Sequence, residues 1–190
     1  AWHKAGIIQP NGQAFSVPQL PEVMAVLNHE AEQKQAELKV GDPLDFASEF
    51  FHVENVSTGA SLPGRLERID LNGHVVIIDG GHTAVSAKHL YDFAFDGVNQ
   101  PIRMVVGMLR DKNTAAFLET FDAPNVQFLY TQAPGDRALT VDDLLTRYQP
   151  ANAQCTLVPS LDAALKLDSI PNDTLTVVAG SLRMAAAARE

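Results

Sequence analysis

The segment Asp79-Gly80-Gly81-His82 follows the apolar run HVVIID and precedes a helical pattern. A carboxylate at the end of a strand, two glycines that let a ligand approach the backbone, and an imidazole together make a plausible polar site. The structural alternative is that Asp79 caps the following helix across the glycine turn while His82 faces solvent. On the pattern alone, the two interpretations are equally good.

Two further positions, Arg65 and Ser181, could bind an anion. Arg65 follows the sequence LPG and begins a predicted strand, and its planar guanidinium can bind phosphate or carboxylate with two hydrogen bonds. Pairing with a neighbouring surface carboxylate is the alternative for Arg65. Ser181 lies between a strand and a helix, where free backbone N–H groups favour an anion. A serine that only caps the helix has the same geometry.

Other catalytic or metal-binding patterns are weak in this sequence. The six histidines include no close ligand pair, and no GxxxxGK[ST] or GxGxxG sequence occurs to hold phosphate. Cys155, the single cysteine, opens an apolar run and is predicted to be a small buried side chain and not a nucleophile. A metal-dependent hydrolase using Asp79 and His82 is a further alternative, but it has only two of the about three protein ligands that a catalytic metal needs.

The composition excludes several classes of protein. The chain has 190 residues, with 14 Lys and Arg against 23 Asp and Glu, and a net charge of −9. An acidic chain without a Lys/Arg run is not expected to bind nucleic acid or an anionic membrane. No apolar run approaches the ~18 residues of a membrane span. One cysteine forms no disulfide framework, which is typical of a reducing compartment, so we expect a cytoplasmic protein. We also expect a monomer.

The elements that must position these residues follow from the apolar runs after Leu62. RLERI and HVVIID flank a turn signal at 71–73 and are predicted to pair as a hairpin. Four later apolar runs are predicted to be strands: IRMVVGML, VQFLY, CTLVP and LTVVAG. They alternate with helical patterns over residues 84–95, 113–121, 140–148, 161–167 and 181–190. Such alternation predicts a mostly parallel sheet with helices on both faces. Ligands then bind at the carboxyl ends of the strands, in the loops after Asp79, Gly107, Tyr130 and Gly180.

The residues before Leu62 are predicted to form a short lead and not a domain. Residues 7–18 are turn-rich, with Asn11-Gly12 as the turn of a hairpin-like passage. An amphipathic helix is predicted from Pro21 to about Lys39, with Glu22 near the positive end of the helix dipole. Residues 41–61 are rich in Gly, Pro, Ser and Thr at both ends and are predicted to be a linker, in which FFHV could form a short strand.

Taken in order, these segments resemble the folylpolyglutamate synthase/dihydrofolate synthase family, relatives of the Mur ligases. AWHKAGIIQPNGQAFSVPQ is similar to the family's stretch around a lysine that becomes carbamylated. LPGRLERI resembles the strand that enters its C-terminal domain, and VVIIDGGHTAVSAKHL resembles its DGAHNP segment. VVGMLRDKN, TQAPGDRAL and TVVAGSL match three later loops in the same order.

The resemblance implies an α/β fold of the Mur-ligase C-terminal type, a mostly parallel Rossmann-like sheet with helices on both faces. It divides the chain into the end of a central ATPase domain (1–40), a linker (41–61) and a C-terminal glutamate ligase domain (62–190). The implied activity is ATP-dependent ligation of L-glutamate to the γ-carboxylate of folate, or to dihydropteroate, through an acyl phosphate. ATP and Mg²⁺ are the implied cofactors.

The resemblance also implies a role for each candidate residue. Lys4 becomes a carbamate, an oxygen-bearing anion that can hold Mg²⁺. Arg65 contacts ATP phosphates, and Asp79 contacts the ribose hydroxyls of the nucleotide. His82 and Ser181 lie near the glutamate. For Lys4 the alternative is an ordinary solvated lysine.

The sequence departs from the family in several places. The family's P-loop, its Mg²⁺-binding Ser, Glu and His, and its pterin-binding loops all precede the lysine and are not in this chain. Residues 41–61 contain nothing like the family's Gly-x-His-Gln…Asn passage, DGAHNP is replaced by DGGHTA, and His3 stands where Glu is frequent. The chain opens without Met, as if entered midway. We therefore expect a ligase fragment that is inactive by itself or, alternatively, a truncated non-catalytic Mur-ligase-like binding module.

Overall fold

The structure is a computed structural model that describes residues 1–42, 46, 62–71, 73–166, 170–171 and 173–190. The chain separates into two compact units, residues 1–60 and 61–190. Most of the expected linker, including the FFHV sequence, lies outside the described residues. Within the described ranges, none of the helices is long and apolar enough to cross a membrane.

The first unit is a small βαβ arrangement. Its elements are α1 (Trp2–Ala5), β1 (Gln13–Ser16), α2 (Pro21–Gln33) and β2 (Glu37–Val40). β1 and β2 pair in parallel, with Gln13 opposite Glu37. The hairpin expected at Asn11-Gly12 is therefore wrong. Asn11, with φ +56°, forms a turn that leads into β1, and the partner strand comes only after α2.

The helix predicted from Pro21 to about Lys39 is also too long. Pro21 occupies the first turn of α2 and Glu22 lies in that turn, as expected, but α2 ends at Gln33. Gln35 has φ +53° and turns the chain into β2. The sequence after Gln33 is rich in good helix formers, so local propensity favours helix, and pairing with β1 overrides it.

The second unit contains a six-stranded sheet. Its elements in chain order are β3 (Glu67–Leu71), β4 (His74–Ile78), α3 (Ala84–Ala94), β5 (Ile102–Val106), α4 (Thr114–Leu118) with a 3₁₀ turn (Glu119–Phe121), β6 (Val126–Tyr130), α5 (Val141–Arg147), β7 (Gln154–Leu157), α6 (Leu161–Ala164), β8 (Leu175–Ala179) and α7 (Leu182–Ala187). The strand order is β3-β4-β8-β5-β6-β7. Among the described strands of this sheet only β3 runs antiparallel, so the predicted hairpin and the mostly parallel sheet are both confirmed.

Apolar side chains on both faces of this sheet form two cores. On one face, strand residues such as Met104 and Phe128 pack with residues of α3, α4 and α5. On the other face, Val105 and Val178 pack with residues of α6 and α7. Alternate residues of one strand thus face opposite cores, which explains why the strand sequences are continuously apolar.

The helices of the second unit start at defined caps. In each case a side-chain oxygen accepts a hydrogen bond from the backbone N–H three residues later; the caps are Thr83, Asn113, Thr140, Ser160 and Ser181. Each cap satisfies a backbone donor that would otherwise lack a partner in the helix. Because each of these helices follows a strand, the caps also fix the loops at the carboxyl edge of the sheet.

Candidate functional site

A cavity of about 290 Å³ lies at the carboxyl edge of the sheet in the second unit. Its walls come from the loops that follow β4, β5, β6 and β8. The lining residues, which we call the cationic pocket, are His82, Leu109, Lys112, Arg137, Ser181, Leu182 and Arg183. This is the edge at which the sequence predicted ligand binding.

The loop after β4 is held by the Asp79 carboxylate. Asp79 is 5% exposed, and its oxygens accept hydrogen bonds from the backbone N–H groups of Gly81 at 2.7 Å and Leu66 at 3.0 Å. Thr83, and not Asp79, caps α3. Asp79 therefore shapes its own loop and connects that loop to the chain entering β3.

His82 lies on this loop and lines the cationic pocket. Its Nδ1 atom is 3.0 Å from the carbonyl oxygen of Gly80, so in the neutral ring Nδ1 carries the proton and donates. Nε2 is then left as an acceptor. The backbone N–H of His82 donates to Ser86 Oγ at 3.0 Å, and this hydrogen bond fixes the main chain of His82.

Ser181 lines the same pocket, so the structure brings His82 and Ser181 together. Gly180, with φ +107°, donates its N–H to the carbonyl of Gly81 at 3.0 Å and ties the two loops. Ser181 is 2% exposed, and its hydroxyl accepts from the backbone N–H of Met184 at 3.1 Å. Ser181 is thus a helix cap, the structural alternative, and its hydroxyl proton is still available to donate.

Three cationic side chains from three loops complete the pocket. Lys112 pairs with Asp111 at 2.8 Å, and the hydrogen bond from Lys112 holds the pKa of Asp111 below its usual value. Arg183 donates to the carbonyl of Pro134 at 3.3 Å, and the Arg137 side chain is exposed. In the described part of the chain no carboxylate lines this cavity. The pocket is therefore electropositive within a chain of net charge −9.

These three cations were not predicted from the sequence. The loops after Gly107, Tyr130 and Gly180 were predicted to bind ligands, and Lys112, Arg137 and Arg183 are basic residues on those loops. The pattern that could have indicated them is a basic residue shortly after each of three parallel strands. The topology was needed to show that the three loops meet, because β8 lies between β4 and β5 in the sheet.

Arg65 and Asp79 do not line the cationic pocket. The Gly80 N–H donates to the Gly64 carbonyl at 2.8 Å, so the segment with Arg65 lies beside the Asp79 loop. The Arg65 side chain is exposed, and none of the described residues hydrogen-bonds or ion-pairs with its guanidinium. An exposed guanidinium suits a phosphate ligand. The hydrogen bonds observed on Asp79 are internal to the protein, and its contact with a ribose stays a prediction.

Lys4 belongs to the first unit, where it is exposed on α1 and lines a separate cavity of about 480 Å³. The described residues around this cavity are apolar side chains, amides and a hydroxyl, without a carboxylate. Among the described residues no three His, Cys, Asp or Glu side chains are close enough to hold a metal ion. Mg²⁺ is usually bound through one or two carboxylates. The described residues therefore do not form a Mg²⁺ site around Lys4, and the hydrolase alternative lacks a metal site in the same residues.

A doubly wound α/β sheet with an electropositive cavity at its carboxyl edge is an arrangement in which α/β proteins commonly bind small anionic molecules. Residues 64–182 match the family described as Mur ligase, glutamate ligase domain. The chain therefore belongs to this ligase family, and both the fold and the family expected from the sequence motifs are confirmed. A search among curated proteins found no match.

Solved structures of folylpolyglutamate synthases have the same fold. The Mycobacterium tuberculosis folylpolyglutamate synthase with ADP and AMPPCP has a TM-score of 0.71 at 23% identity, covering 98% of this chain and 57% of that one. The Escherichia coli FolC protein with DHPP and ADP has a TM-score of 0.71 at 21% identity, covering 98% and 54%. A bifunctional folylpolyglutamate synthase/dihydrofolate synthase with Mn, AMPPNP and L-glutamate has a TM-score of 0.69 at 19% identity, covering 97% and 54%. The chain thus spans little more than half the length of these proteins.

Proposed function

We propose that this chain is the glutamate-binding part of a cytoplasmic, monomeric folylpolyglutamate synthase. The ligase joins L-glutamate to the γ-carboxylate of folate, or to the carboxylate of dihydropteroate, with ATP as the phosphoryl donor. The observation that carries the proposal is the cationic pocket, because it combines His82 and Ser181 with three cations in a Mur-type glutamate ligase domain.

The charges of the cationic pocket suit L-glutamate. Glutamate has two carboxylates, and Lys112, Arg137 and Arg183 supply charge-assisted hydrogen-bond donors from three separate loops. Arginine can bind one carboxylate with two parallel hydrogen bonds, which fixes its orientation. The Ser181 hydroxyl can donate a further hydrogen bond.

His82 is suited to the ammonium group of the incoming glutamate. With Nδ1 donating to the Gly80 carbonyl, Nε2 of the neutral ring can accept a proton from an ammonium. The freed amine then attacks the carbonyl carbon of the acyl phosphate. A C–N bond forms, the C–O bond to the phosphate breaks, phosphate leaves with the bonding electron pair, and the nitrogen gives its second proton to solvent water.

The remaining roles concern the acyl phosphate. We assign the exposed Arg65 guanidinium to the ATP phosphates and Asp79 to the ribose, as the family resemblance implies. Lys4 is assigned as the carbamate, again as the family resemblance implies. In the complete enzyme, Lys4→Ala is expected to abolish nearly all turnover, and added bicarbonate is expected to give no rescue.

The proposal is tested by titrating the 190-residue chain with L-glutamate and with its neutral isostere L-glutamine, followed by amide chemical shifts. We expect L-glutamate to shift residues 82, 112, 137 and 181 and to bind at least about tenfold more tightly than L-glutamine, since a charged contact contributes about 1.5–3 kcal/mol. Equal affinities, or shifts that avoid this edge of the sheet, would contradict the proposal.

A further inference from the structure

The loops that carry Lys112 and Arg137 are bonded to each other through their backbones. The Arg110 N–H donates to the Arg137 carbonyl at 2.9 Å, and the Leu139 N–H donates to the Met108 carbonyl at 2.9 Å. The Lys112 N–H donates to the Leu109 carbonyl at 3.1 Å and closes a tight turn. The ion pair between Asp111 and Lys112 lies on this turn.

Arg147 contacts the same turn from outside the cationic pocket. It is the last residue of α5, its side chain is exposed, and it does not line the cavity. Its Nη1 atom donates to the carbonyl of Arg110 at 2.9 Å and to the carbonyl of Lys112 at 3.4 Å. These two carbonyls flank Asp111, so one guanidinium spans the peptide units on both sides of the Asp111–Lys112 pair.

We propose that Arg147 is a positioning residue for glutamate binding, because it fixes the turn that presents Lys112 to the pocket. The inference rests on the proposed function, since it assigns Arg147 a role in the same site. A lysine side chain has high rotamer entropy, and ordering it on binding lowers affinity. A fixed backbone together with the Asp111 ion pair removes part of that cost before the ligand arrives.

The test compares the unaltered chain with Arg147→Ala, Arg147→Lys and Arg68→Ala. Arg147→Ala removes the donor and the charge, while Arg147→Lys keeps the charge and a donor. Arg68→Ala is the matched control, because Arg68 is exposed on β3 and its loss changes the net charge equally. Each protein is titrated with L-glutamate, and its hydrogen exchange at the Lys112 amide and its urea unfolding are measured.

We expect Arg147→Ala to weaken L-glutamate binding about fivefold, the equivalent of one ordinary hydrogen bond. The Lys112 amide should exchange faster in this variant, while the urea midpoint stays the same. Arg147→Lys should restore most of the affinity, and Arg68→Ala should bind like the unaltered chain.

Two results would overturn the positioning role. One is an unchanged affinity and an unchanged Lys112 exchange rate in Arg147→Ala. The other is a loss of affinity accompanied by an equal loss of global stability, since Arg147 would then act only on folding. If the unaltered chain and all variants fail to bind L-glutamate, the proposed function itself is wrong and the role of Arg147 falls with it.

Discussion

The two edges of the large sheet have cavities of similar size, but their basic side chains are bonded differently. The carboxyl edge has a cavity of about 290 Å³ with three cations, and the amino edge has one of about 300 Å³ beside Arg103. Arg103 donates through Nη2 to the Ala164 carbonyl at 3.2 Å, and its buried Nη1 has no hydrogen-bond partner among the residues that the structure describes. Its guanidinium is thus directed into the protein, and burial lowers its pKa.

The amino edge also holds the carboxylate of Asp122, whose observed hydrogen bonds are to other groups of the protein. Asp122 accepts from the backbone N–H groups of Ala151, Asn152 and Ala153 at 2.7–2.9 Å, and from the Tyr148 hydroxyl at 3.0 Å. At the carboxyl edge, by contrast, the basic side chains that line the cavity have hydrogen-bond donors that can reach a ligand. Cavity volume alone therefore does not indicate a binding site, and we propose that charged groups with free donors are the better indicator.

The largest expected effect is a loss of stability at the amino edge. Asp122→Ala removes four hydrogen bonds to one carboxylate and leaves three backbone donors to be resolvated. We expect the free energy of unfolding to fall by about 2–3 kcal/mol, since bonds to charged groups contribute more than neutral ones. Urea unfolding measures this loss. Asp111→Ala is the control at the carboxyl edge. An equal loss of stability in Asp111→Ala would contradict the difference that we propose between the two edges.

The second effect is a loss of binding at the carboxyl edge. Arg137→Ala removes an exposed cation of the pocket, and we expect L-glutamate to bind about tenfold more weakly, or about 1.4 kcal/mol. Calorimetric titration measures the affinity. Stability should change by less than about 0.5 kcal/mol because the side chain is exposed. A large loss of stability without a change in L-glutamate affinity would show that Arg137 stabilises the fold and does not bind the ligand.

The third effect is a dependence of stability on pH that arises from the titration of Asp122. Burial raises the pKa of Asp122, but the hydrogen bonds from residues 151–153 and Tyr148 outweigh it and hold the pKa below the ordinary value of 3.8. A depressed pKa in the folded state contributes stability that is complete above the ordinary pKa and is lost as the pH falls through the folded value. Stability should therefore fall below about pH 4. The fall should be smaller in Asp122→Ala, and identical acid profiles would refute the assignment.

The smallest expected effect concerns the cavity at the amino edge. Arg103→Met replaces the guanidinium with an apolar side chain that fills much of the same space. Because Arg103 directs its donors into the protein, L-glutamate affinity should stay within about twofold of the unaltered chain, which is below 0.5 kcal/mol. A marked loss of binding would show that the amino edge takes part in recognition.

The fold of the second unit could be predicted from sequence because its signals are local and consistent. Continuous apolar runs, the helix caps and the turn after β3 all indicate the same alternation of strands and helices. The first unit was predicted less well. The residues after Gln33 favour helix locally, and they form β2 only because β1 is available as a partner.

The candidate site was predicted in part for a similar reason. His82 and Ser181 stand at junctions between a strand and a helix, which a sequence pattern reveals. Lys112, Arg137 and Arg183 look like ordinary surface residues until the strand order brings their loops together. The internal role of Asp79 could not be predicted, because its partner at Leu66 depends on the packing of the chain that enters β3.

The central claim is that the cationic pocket binds L-glutamate, and a crystal structure of this chain grown with L-glutamate tests it most directly. We expect L-glutamate to lie in the cavity between His82, Lys112, Arg137 and Ser181, with a carboxylate bound to the cationic side chains. L-glutamate in the cavity beside Lys4 or beside Arg103, with the cationic pocket empty, would contradict the account.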